Sequence, residues 1–180
     1  MVTETATRQG ELVRPTDPDH VDALLFLMTE AEVLDAGDFT GWLALLAPAV
    51  TYKVPVQTTR LRSDAAGCAR TYHHEEDRAS LEFRVKRIVE ADTSWAYNPG
   101  ARTRRFVSNV RVRRADGTDL RVSSYVLFLR SRHDRDTYEL LTGERNDVLG
   151  RTAEGQLELR AREVTLDQAR VGVAGLPFPL

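Results

Sequence analysis

A chain of 180 residues with 42% hydrophobic and 29% charged residues has the make-up of one globular domain with a sizeable core, since two domains would each be small. Its formal net charge of −2 and isoelectric point near 6.1 leave no basic surplus for a phosphate backbone, which argues against nucleic acid as a partner. The single cysteine, Cys68, excludes an intrachain disulfide, and the longest apolar run, Ala23 to Met28, is far below the ~20 residues needed to span a bilayer.

The opening residues (MVTETATRQGELVRPTDPD) have no apolar stretch of the signal-peptide kind, so the expected location is cytoplasmic. Residues 1–16 are polar and aperiodic, which predicts a flexible arm ahead of a single domain over 17–180. Asp17-Pro18 supplies a helix cap followed by a first-turn proline, and Val21, Leu24, Leu25 and Met28 recur at helical spacing as far as Ala36-Gly37. Asp38 is placed to cap a second, short helix with Phe39, Trp42, Leu43 and Leu46, which Pro48 stops. Val50, Tyr52, Val54 and Val56 alternate with polar neighbours, a strand pattern in which Pro55 predicts an edge or a bulge. Thr58 to Tyr72 has no clear period and reads as a long connection with room for a short strand. Asp77 is placed to cap a third helix whose Leu81, Val85 and Ile88 share a face, with Glu82 and Lys86 paired outside. After a connector over Trp95 to Ala101 come strands at Thr103 to Arg114, Leu120 to Arg132 and Tyr138 to Leu149, with a fourth at Gln156 to Val164. Helices first and an antiparallel meander after them predict an α+β fold.

Candidate chemistry is sparse. His73-His74-Glu75-Glu76-Asp77 is the one cluster with metal-ligand residue types, but adjacent histidines point to opposite faces of a strand and diverge on a helix, so a solvated approach to the Asp77-capped helix is the favoured reading. Arg102, Arg104 and Arg105, with Arg111, Arg113 and Arg114, read as a solvated strand face, as an anion site or as a docking face for acidic residues of a partner. Trp42, beside Leu43, Leu45 and Leu46, reads as core, whereas Trp95 fills either this chain's core or a neighbour's pocket. Cys68 reads as an ordinary thiol. A Rieske cluster needs two Cys and two His, and facial-triad iron needs two His and a carboxylate; one Cys and four scattered His make neither set.

The run EDRASLEFRVKRI (76–88), then Trp95-Ala96 with Pro99, then RTRRFVSNVRV (102–112) resembles the signature of the small (β) subunit of bacterial aromatic-ring-hydroxylating dioxygenases. Glu30 to Leu46 and Ser123 to Arg132 are similar as well, so the resemblance covers nearly all of the chain from about Asp17; the last residues, Gly-Leu-Pro-Phe-Pro-Leu, depart from it. The resemblance implies a cone-shaped, curved mixed or antiparallel sheet wrapped around N-terminal helices, as in nuclear transport factor 2 and scytalone dehydratase. It further implies a structural, non-catalytic role without a cofactor in this chain. The Rieske 2Fe-2S cluster and mononuclear Fe would lie in a large α subunit, in an α3β3 hetero-hexamer in which the β chains also associate as a trimer. Trp95, Arg102, Arg104 and Arg105 are the expected subunit contacts. The competing reading is a stand-alone cavity enzyme of the same fold, a lyase, isomerase or dehydratase, drawing acid-base groups from Tyr52, Tyr72, Tyr125, His73, Asp77 and Glu144.

Overall fold

The structure, a computed structural model, describes residues 10–57, 71–90, 101–115, 117–132, 136–168 and 179–180. In chain order the elements are β1 (Glu11–Leu12), α1 (Pro18–Asp35), α2 (Phe39–Ala44), β2 (Leu46–Pro55), β3 (Tyr72–Asp77), α3 (Arg78–Glu90), β4 (Arg102–Arg114), β5 (Leu120–Ser131), β6 (Tyr138–Arg151) and β7 (Leu157–Leu166). The strands form one sheet in the order β1-β4-β5-β6-β7-β2-β3, antiparallel throughout except for the parallel β2–β7 pair. This is the α+β, nuclear transport factor 2-like architecture, with α1 laid across the inner face of the long strands. Among the described residues no helix is long and apolar enough to cross a membrane.

Each helix starts as its sequence dictates. The Asp17 carboxylate accepts from the Asp19 N–H at 3.0 Å, with Pro18 in the first turn; Asp38 accepts from the Gly41 N–H and Asp77 from the Ser80 N–H. On α3, Leu81 and Val85 are buried and Ile88 packs beside them. Its surface pairs are Arg78 with Glu82 and Lys86 with Glu90, not the Glu82–Lys86 pair read from spacing. Arg78 also donates to the Leu43 and Leu46 carbonyls, which draws Glu82 toward the helix start.

β5 alternates strictly, so one of its faces (Leu120, Val122, Ser124, Val126, Phe128) is buried under the helices and the other is turned outward. The ladder breaks between Ser108 and Arg111, where Asn109 and Val110 oppose Ser124. Asn109 carries the left-handed φ of 53° that the bulge requires, and Asn tolerates it better than most residues.

Three expectations are corrected. The arm read over residues 1–16 is docked from Gly10 onward: Glu11 and Leu12 pair with Arg114 and Arg113, and buried Val13 donates to the Val112 carbonyl at 2.9 Å. The edge is too short to give a periodic signal, which is why composition alone missed it. β2 begins at Leu46 and runs through Pro48, whose missing N–H falls in the gap in the β2–β7 register between Leu46 and Thr51. It is not an edge strand, because β3 lies outside it, and Pro55 sits at the bulge alternative, a register shift after Val54. Finally, His73 to Asp77 is no loop-like approach to a helix but most of β3, the outermost strand, with residues alternately exposed and half-buried. Its charged residues gave a strand no hydrophobic signature.

Gly143 marks a close backbone approach between β6 and β7: a Cβ there would lie 2.6 Å from the main-chain oxygen of Thr165 on β7. Since that neighbour is backbone, Gly143→Ala is expected to lower stability by about 1–3 kcal/mol through overpacking. Urea unfolding measures this, and an unchanged midpoint would show that β6 and β7 separate freely at this row.

Candidate functional site

The polar centre of the molecule lies between α1 and the inner face of the sheet. Glu30 falls in helical phase with Ala23, Leu27 and Leu34, all buried, so the packing that buries those residues also carries its carboxylate inward. Arg145 and Asp147 are two residues apart on β6 and therefore share the inner face. Asp147 pairs across the ladder with Arg162, and Arg162 with Tyr52, which makes one row over β6, β7 and β2.

The charges in this row are fully buried and interlocked. Arg162 donates from Nε and Nη2 to the two oxygens of Asp147 at 2.8 Å each. It also donates from Nη1 and Nη2 to the two oxygens of Glu30, at 2.6 and 2.8 Å. Arg145 adds an Nη2 contact to Glu30 at 2.5 Å and lies 3.5 Å from Asp147, and the Trp42 indole N–H donates to Glu30 at 3.1 Å. Burial pushes the Glu30 carboxyl up, but attraction to Arg162 and Arg145 and the hydrogen bonds from Arg162 and Trp42 outweigh it and hold it at about 2. Burial acts the other way on Arg162, and Asp147 and Glu30 overcome it, so the guanidinium is held still more firmly protonated.

Two tethers close the centre. The Tyr52 hydroxyl donates to the Leu180 main-chain oxygen and accepts from the Leu180 N–H, both at 2.9 Å, and burial raises its pKa. Arg105 is bound to Asp35 through Nη1 at 2.5 Å and through its backbone N–H at 2.8 Å. It also donates to the Pro179 carbonyl and lies 5.0 Å from the Phe128 ring centre.

Chemically this arrangement is a clamp. General acid-base work needs a group that exchanges its proton near the operating pH and reaches a substrate. Glu30 and Asp147 are instead saturated by guanidinium donors, and Tyr52 stays protonated and tethered. The acid-base candidates read from the sequence are not brought together in the interior. Tyr125 and Glu144 face each other across β5 and β6 on the outer face, where Tyr125 is 52% exposed. His73 and Asp77 share the exposed side of β3, with Asp77 occupied as a cap, while Tyr72 lies under the Lys53 ammonium. Tyr52 alone reaches the interior. The donor chemistry does not fit a Rieske cluster or mononuclear iron, and among the described residues no group of three or more His, Cys, Asp or Glu is placed to hold a metal.

Of the expected subunit contacts, Arg102 and Arg104 point outward from β4. Arg105 is a correction: it points inward, and its guanidinium is committed to Asp35 and Pro179 within this chain, because alternation puts it on the face opposite its neighbours. Trp95 and Cys68 lie outside the described residues. The clamp residues Glu30, Arg145, Asp147 and Arg162 were not singled out from the sequence, although a signal existed. On β6, Arg145 and Asp147 interrupt the inward alternation Leu141, Gly143, Leu149, and charges at inward positions on one strand imply partners of opposite sign facing them.

The family model described as the ring hydroxylating beta subunit matches residues 29–172. The chain is 35% identical over 176 residues to the biphenyl 2,3-dioxygenase subunit beta of Rhodococcus jostii (strain RHA1), covering 91% of this chain and 92% of that one. Among solved structures it resembles naphthalene 1,2-dioxygenase with indole bound, at a TM-score of 0.80 and 23% identity, covering 87% of this chain and 82% of that one. It also resembles a protein of Novosphingobium aromaticivorans DSM 12444 named for scytalone dehydratase, at a TM-score of 0.62 and 14% identity, covering 90% and 94%. At those identities the two structures speak to the fold alone.

Glu30 sets a pH dependence whose sign is fixed. Its folded pKa lies below the ordinary value of 4.5, so its contribution is complete above pH 4.5 and is lost as pH falls toward about 2, where the unfolded chain takes up a proton that the folded chain does not. The loss over that window is about 3 kcal/mol. Glu30→Gln is expected to cost about 3–5 kcal/mol at neutral pH, because Arg145 and Arg162 then share one carboxylate, and to remove this part of the acid slope. Urea midpoints of both proteins across the window measure it; parallel slopes would place the titrating group elsewhere.

Proposed function

We propose, since this chain belongs to the ring-hydroxylating β-subunit family, that it serves as the non-catalytic small subunit of an aromatic-ring-hydroxylating dioxygenase. Its partner is a large α subunit that carries the Rieske cluster and the mononuclear iron, and the two chains assemble as α3β3 around a threefold axis. The work of the β chain is to hold neighbouring α subunits in a fixed relative geometry, so that the cluster of one stays in electron-transfer reach of the iron it serves.

One observation carries this reading. Between helix and sheet, where a cavity enzyme of this fold would bind its substrate, sits the Glu30, Arg145, Asp147 and Arg162 clamp with Trp42 and Tyr52, all buried. An internally neutralised centre suits a scaffold. The stand-alone enzyme reading is not favoured, because its acid-base residues are divided between two faces of the sheet.

Co-expression of the tagged chain with its neighbouring reading frames tests the assignment. The expected eluate is red-brown and contains equal amounts of this chain and a larger iron protein at the mass of a hetero-hexamer, whereas the chain purified alone holds no stoichiometric iron and turns over no arene. A colourless homo-oligomer without a large partner, or iron bound by the isolated chain, would overturn it.

A further inference from the structure

Helix α1 is apolar on both sides. Ala23, Phe26, Leu27 and Leu34 face the sheet, while Val21, Leu24, Leu25 and Met28 form a stripe on the opposite side, with Leu25 55% and Met28 59% exposed. A helix that is apolar all round belongs inside a structure covered on both faces. It cannot bury the stripe by rolling, because Asp19 and Asp22 are paired with Arg151, Glu30 with Arg145 and Arg162, and Asp35 with Arg105. The stripe ends in Glu32, which lies in phase with Leu25 and Met28, is exposed, and has no ion-pair partner among the described residues.

The outer sheet face presents a second apolar patch. Phe106 pairs with Leu127, Leu129 with Leu140, and Tyr125 lies one row beyond Leu127 on the same face; Phe106 is 55% exposed and Leu140 41%. At the Leu129 row the patch ends in Arg104, which is exposed and also has no ion-pair partner among the described residues. The two patches match in size: the stripe from Leu25 to Glu32 runs about 10 Å along the helix, and the sheet patch from the Tyr125 row to the Leu129 row runs about 13 Å. They also match in sign, since α1 contains no Lys or Arg and the adjoining outer face of β4 presents Arg104 and Arg111.

We infer that the α1 stripe of one copy docks on the outer β4–β6 face of the next copy, with Glu32 reaching Arg104, and that this helix-on-sheet contact closes the β trimer. The inference rests on the subunit reading and specifies its self-contact. A ring requires two different patches on each chain, and these two supply them. Helix on sheet is also a packing that proteins use in their own cores.

Cysteine cross-linking in the assembled complex tests the contact, using chains in which Cys68→Ser leaves no other thiol. Leu25→Cys with Tyr125→Cys in one chain is expected to give linked pairs and triples of this chain with a short bis-maleimide, while either cysteine alone gives none. A link between two Leu25→Cys chains, a link from Leu25→Cys to the large subunit, or no link in an intact hexamer would overturn the inference and leave the subunit reading standing. Failure of any copy to assemble, with the chain folded by circular dichroism, would sink both. As a second measurement, Glu32→Arg and Arg104→Glu are each expected to raise the trimer dissociation constant at least tenfold, and the double exchange to recover most of that loss. No recovery would remove the Glu32–Arg104 pairing.

Discussion

Two carboxylates and two guanidinium groups sealed between one helix and three strands set the terms for the rest of this molecule. Taking such charges out of water costs several kcal/mol each, and their mutual attraction repays that only when the geometry is good and the donors are used. Here Arg162 uses all three nitrogens on Asp147 and Glu30, whereas Arg145 gives Nη2 to Glu30 and keeps Nε and Nη1 buried without a hydrogen-bond partner among the described residues. A cluster of this kind is a poor source of net stability compared with a well-packed apolar core. What it adds is register. If β6 slipped by one residue against β7, Arg145 and Asp147 would both turn outward and leave Glu30 and Arg162 buried without them. The clamp therefore penalises wrong pairings in the part of the sheet that needs it most, beside the parallel β2–β7 junction and its register shift.

The same cluster explains why the interior is an unpromising place for chemistry in this chain. Catalytic carboxylates are tuned so that a proton can leave and return, whereas Glu30 is pinned far on the acidic side by its guanidinium neighbours. The interior is crossed by charge pairs and by the tethers from Tyr52 and Arg105 to residues 179–180. What remains available lies outside: an apolar helix stripe and an apolar strand face, each ending in a charge, of opposite sign, that has no ion-pair partner among the described residues. Interior and exterior are linked, since the ion pairs that fill the centre also stop α1 from rolling and so keep its second apolar side turned out.

Local signals decided which parts of this arrangement could be read from the sequence. Asp17-Pro18, Asp38 and Asp77 are caps in the structure because a cap needs only one side chain and the next few N–H groups. The long strands were legible from alternation and turn residues over about a dozen positions each. The short edges were not: β1 is two residues long, and β3 carries His, Glu and Asp in place of an apolar face. The clamp was missed for a different reason. Glu30 and Arg162 are 132 positions apart, and nothing local to either says that they meet. Arg105 shows the limit of composition, since Arg-Thr-Arg-Arg looks like one basic patch until alternation sends Arg104 out and Arg105 in.

The choice of cation carries the argument one step further. The chain has only two lysines, Lys53 and Lys86, and both lie near the surface in simple one-to-one pairs, whereas every cation of the buried centre is arginine. An ammonium is a point charge that gives up its proton when buried, so it cannot hold two carboxylates at defined angles. A guanidinium remains charged and presents donors in a plane, and Arg162 uses three nitrogens to bind Asp147 on one side and Glu30 on the other. The planar fork thus converts two sheet positions and one helix position into a fixed triangle. On the proposed scaffold role, that rigidity matters more than the few kcal/mol an all-apolar centre would add, because the outer faces can meet a neighbour in a single register only if α1 is held at one height and one roll above the sheet.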